Sequence, residues 1–88
     1  MTQEYETAER GFLDRVRQGA SSADLAASAR EVHAAADAWE SGAYREFFAS
    51  RDRLGGHTRE VFELEIDAER AELLAGLWAD LAAAYGEA

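Results

Sequence analysis

The 88-residue chain has no cysteine and no proline, and all nine of its basic residues are arginine. Without cysteine there is no disulfide framework, no thiolate metal ligand and no cysteine nucleophile. Without proline, no helix is interrupted by a residue that lacks a backbone N–H. β-Branched residues are few beside alanine and glutamate, a composition that favours helix over strand. With only two histidines, a zinc site would need carboxylates to complete it. There is no glycine-rich phosphate loop and no serine beside a suitable base. No apolar run is long enough to span a bilayer, and Met1 to Glu9 is too polar for a signal peptide. The expected location is the cytoplasm.

Positive charge is also scarce. The formal net charge of −9 argues against direct nucleic-acid binding and against anionic membrane surfaces, both of which need clustered cations. Eighty-eight residues make one small domain. Lacking disulfides, a domain of this size commonly gains stability from a second copy of itself.

What is present is helical periodicity. Leu25, Ala29, Val32, Ala36, Trp39 and Ala43 recur at steps of four and three, with Phe47 and Leu54 extending the stripe. Ser21, three residues before Asp24, is placed to cap this helix. Arg51 and Arg53 before Gly55-Gly56 mark its end. Ser41-Gly42 is the one internal point at which it could break. No basic residue precedes that point as it would a helix end, so one continuous helix is expected.

Before it, Tyr5, Ala8, Phe12 and Val16, widened by Leu13, form the stripe of a first helix that Gly19 ends. In that helix Glu6 and Arg10 are spaced to pair. After Gly55-Gly56, Thr58 can cap a last helix whose expected buried face is Phe62, Ile66, Leu73, Leu74, Leu77, Leu81 and Tyr85, with Trp78 at its border. Phe62 to Asp67 also alternates like a strand, but no other segment could pair with it. The fold predicted is all-α, in a single domain. It is a short helix plus a long antiparallel hairpin, over about residues 3–18, 22–53 and 58–85, closing a helical bundle as a homodimer. The core or dimer seam is expected at Leu25, Val32, Trp39, Phe47, Leu77 and Leu81.

Three groupings bear on function. His33, Asp37 and Glu40 share one side of the central helix, but the Glu-x-x-His spacing of bundle metal sites is missing, so no metal or other cofactor is expected. Trp39, Tyr44, Phe47 and Phe48 occupy several sides of the same helix and suit core packing with an interface. Glu63, Glu65, Asp67, Glu69 and Glu72 form an acid run in the last helix; the helix dipole accounts for Glu63, whereas Glu65 to Glu72 lie deeper than it rewards. These five are the expected contact with a basic surface of another protein. The function predicted is a non-enzymatic acidic inhibitor or adaptor of the antitoxin, immunity or anti-defence type. Two alternatives are a bundle enzyme or metal- or small-ligand-binding protein with a His/carboxylate site at a dimer interface, and a structural subunit of a larger assembly.

Overall fold

A computed structural model describes residues 2–87. It is an all-α chain of three helices, α1 (Thr2–Arg17), α2 (Ser22–Leu54) and α3 (Arg59–Glu87). The expected boundaries shift by one or two residues at most of the ends, the usual scatter of frayed termini. No described helix is long and apolar enough to cross a membrane.

The helix ends follow from local chemistry. Ser21 is the N-cap of α2, and its hydroxyl accepts from the Asp24 N–H at 3.2 Å. Thr58 does the same for α3, accepting from the Val61 N–H at 3.2 Å. At the far end of α2, Gly55 adopts φ 73°, a left-handed conformation open to glycine at little cost. The N–H groups of Gly55 and Gly56 both donate to the Arg51 carbonyl, at 3.0 and 3.2 Å, which satisfies the helix end as the chain reverses. α2 passes through Ser41-Gly42 without a break. Its 33 residues set the length of the molecule, 50 Å along the longest axis.

α2 and α3 pack along their lengths as an antiparallel hairpin. The expected stripe of α2 is the one buried: Ala29, Val32, Ala36, Trp39, Ala43 and Phe47 all face inward, and Leu25 is half-buried. Leu54, at the turn, is exposed. The seam is built from small residues on both sides, with Ala68, Ala71, Ala75 and Ala82 on α3 meeting Ala29, Ala36 and Ala43 on α2. Small side chains let the two backbones approach closely, and interior packing at crystal-like density leaves no room there for leucine.

This seam corrects the expected face of α3. Leu74, Leu81 and Tyr85 are half-buried at its edge, while Trp78 is fully part of the core. Phe62, Ile66, Leu73 and Leu77 instead point outward, 55%, 50%, 75% and 53% exposed. α3 carries two apolar faces, one of alanines and one of large side chains. Close packing selects the alanines.

α1 runs along α2 and reaches α3 through its aromatic side chains. Tyr5 and Phe12 are buried, whereas Leu13 and Val16 remain exposed, so α1 docks through the Tyr5–Phe12 face and its last turn does not extend that face. The Phe12 ring meets Trp78 edge-on at 4.9 Å, and Tyr5 lies 5.4 Å from Trp39. Among the described residues, ion pairs close at Arg17–Asp14 and Arg59–Glu63, and the expected Glu6–Arg10 pair does not form.

Gly76 lies inside α3, and a methyl group built there meets no atom within 4 Å. Gly76→Ala is therefore expected to stabilise the chain by about 0.5–1 kcal/mol through lower unfolded-state entropy. Thermal denaturation followed at 222 nm checks this as a rise of a few degrees in Tm.

Candidate functional site

Consecutive residues of an α-helix are turned by about 100°, so an acid run in sequence is not one surface in space. The five acids of α3 divide. Glu65, Glu69 and Glu72 stand at i, i+4 and i+7 and share one side of the helix. Glu63 and Asp67 share another. Glu63 is exposed and pairs with Arg59 at 3.4 Å. Asp67 is half-buried and accepts from the Trp39 indole N–H at 3.2 Å, which fixes the ring against the core. Asp67 thus has a structural role, and Glu63 is partly neutralised.

The Glu65–Glu69–Glu72 side faces Tyr44 of α2. The Tyr44 hydroxyl donates to Glu72. That hydrogen bond, with partial burial and the charges of Glu72, Glu69 and Glu40, raises the Tyr44 pKa to about 12. Among the described residues, no arginine lies within ion-pair distance of Glu65, Glu69 or Glu72. Next to this row, Phe48 stacks on Tyr44 at 6.1 Å, and the Arg51 guanidinium lies over the Phe48 and Phe47 rings at 5.0 and 5.6 Å.

Of the expected seam residues, Val32, Trp39 and Phe47 are buried within the single chain, Leu25 and Leu81 are half-buried, and Leu77 is exposed. His33 is half-buried, with Nδ1 2.9 Å from the Ala75 carbonyl. A carbonyl can only accept, so Nδ1 carries the proton and the ring bridges α2 to α3. Asp37 is exposed, and Glu40 is half-buried, its charge adding to the field at Tyr44. Among the described residues, no three histidine or carboxylate side chains converge closely enough to hold a metal.

One feature has no signal in the sequence. Where α1 meets the hairpin, a polar chain runs through the aromatic layer. The Trp78 indole N–H donates to the Tyr5 hydroxyl at 2.9 Å, and that hydroxyl donates to Glu9 at 2.9 Å. Burial raises the Tyr5 pKa; Glu9 adds to the effect, and the Trp78 hydrogen bond opposes it. An open groove of about 700 Å³ lies alongside, between α1 and the Ile66–Leu74 stretch of α3, with Arg70 5.9 Å from the Trp39 ring. The partners are up to 73 residues apart in sequence, so only the fold brings them together. Compared with models of known protein families, with curated proteins and with solved structures, the chain matches none.

Proposed function

We propose that the chain is a non-enzymatic interaction module that self-associates and binds a basic surface of another protein. Its role is that of an inhibitor or adaptor. The observation that carries this reading is the row of Glu65, Glu69 and Glu72, backed by Glu40 and left without ion-pair partners among the described residues. Three carboxylates in line on a straight helix present a fixed negative strip about 10 Å long. Such a strip speeds encounter with a cationic partner and selects against anionic ones. The net charge of −9 extends the same bias over the whole molecule. Glu63 and Asp67, expected in the same surface, contribute less because each already has a partner within the chain.

The test is retention of host-lysate proteins on the immobilised chain at low and high salt. Replacing Glu65, Glu69 and Glu72 together with arginine is expected to cut retention of the specific partner at least about tenfold, since rim charges govern encounter and register. The wild-type interaction is expected to weaken as salt rises. A partner held equally well by the reversed chain, with unchanged salt dependence, would refute the electrostatic reading.

A further inference from the structure

The outward face of α3 carries four of the eight large hydrophobic side chains exposed among the described residues, and their order specifies an occupant. Phe62, Ile66, Leu73 and Leu77 fall within one narrow sector of the helix. Glu69 and Arg70 flank the middle of that sector, while Arg59 and Asp80 close its two ends. The order is palindromic. Read in either direction it runs charge, two apolar residues, a Glu/Arg pair, two apolar residues and charge, at equal spacing.

We infer that α3 pairs with α3 of a second copy, antiparallel, about a two-fold axis passing between Glu69 and Arg70. This rests on the self-association in the reading above and names the surface that makes it. In that register Phe62 lies opposite Leu77 of the second copy, and Ile66 lies opposite its Leu73. Arg59, which pairs with Glu63 within its own chain, is also placed to meet Asp80 of the second copy at each end. At the axis, Glu69 lies beside its own copy on one edge of the seam and Arg70 beside its own copy on the other, four charges that sum to zero. A parallel pairing would set Arg59 on Arg59 and Asp80 on Asp80, so the charges at the two ends of the face favour the antiparallel one. The span from Arg59 to Asp80 is about 32 Å, long enough for several layers of knobs-into-holes packing. On the Glu69 edge, Glu65 comes beside Glu72 of the second copy, a repulsion that salt screens. Association is therefore best measured near physiological salt, where the Debye length is about 8 Å. The same juxtaposition widens the acidic strip offered to a basic partner.

The absence of cysteine makes the test clean. Sedimentation equilibrium at about 0.15 M salt is expected to show a wild-type dimer. Leu73→Glu or Ile66→Glu, at positions exposed in the single chain, is expected to raise the dimer Kd at least about a hundredfold with helicity retained, because the two-fold counts each buried carboxylate twice. Under mild oxidation, Glu69→Cys at the axis is expected to give a disulfide-linked dimer. Ala84→Cys lies on the same face but about 40 Å from its own copy in this register, and is expected to stay uncrosslinked. A dimer that survives Leu73→Glu, or that crosslinks through Ala84→Cys and not Glu69→Cys, overturns the antiparallel seam while leaving self-association standing. A wild-type chain that stays monomeric at about 100 µM overturns both, while the acidic contact remains open to its own test.

Discussion

Trp78→Ala is expected to destabilise the chain by about 3–5 kcal/mol, the range for removing a large buried aromatic. The physical reason is that Trp78 joins all three helices at one point. It is buried in the α2–α3 core, its ring takes the edge of Phe12 at 4.9 Å, and its indole N–H donates to the Tyr5 hydroxyl at 2.9 Å. Truncation leaves a cavity under α1 and removes a hydrogen bond from a buried phenol, so transfer, cavity and polar terms act in the same direction. A small domain holds about 5–15 kcal/mol in total, so the variant is expected to be partly unfolded at 37 °C. Trp78→Phe separates the terms. It keeps much of the ring packing and loses the hydrogen bond, and is expected to cost about 1–2 kcal/mol. Urea denaturation followed by circular dichroism measures both. Equal losses in the two variants would place the energy in the hydrogen bond and not in the ring.

The second large effect runs in the opposite chemical direction, by adding atoms. Ala71 is fully buried where α3 lies against α2, and the seam owes its closeness to alanines on both helices. Ala71→Leu increases hydrophobicity at only a small cost in helix propensity, so a transfer argument alone predicts stabilisation. The seam cannot accept the volume without parting the helices, and overpacking of this kind costs about 1–3 kcal/mol. The expected result is therefore a lower Cm in urea. Leu73→Ala, on the outward face of the same helix and measured at a concentration low enough to keep the chain monomeric, is expected to leave stability within about 0.5 kcal/mol. The pair of measurements distinguishes the two apolar faces of α3 directly.

Those two faces explain where the sequence was readable. α2 was legible because its large apolar residues fall on one side at steps of four and three, and the same side is buried. The helix ends were legible because Ser21, Thr58 and Gly55 each do what their chemistry favours. α3 was not, because its leucines, isoleucine and phenylalanine outweigh alanine in any periodicity, whereas tertiary packing rewards the residues that let backbones approach. The division of the acid run was accessible from the 100° turn per residue, which sets Glu65, Glu69 and Glu72 apart from Glu63 and Asp67. The removal of Asp67 into a bond with Trp39 was not, since it depends on how α2 and α3 align over 28 residues of separation.

The way α1 is attached has an experimental consequence. The only two tryptophans of the chain both stand where α1 docks, Trp39 beside Tyr5 and Trp78 beside Phe12. Indole fluorescence therefore follows the seating of a single short helix, while far-ultraviolet ellipticity is dominated by the hairpin. Recorded on one sample, the two signals separate undocking of α1 from melting of the scaffold, with no label added.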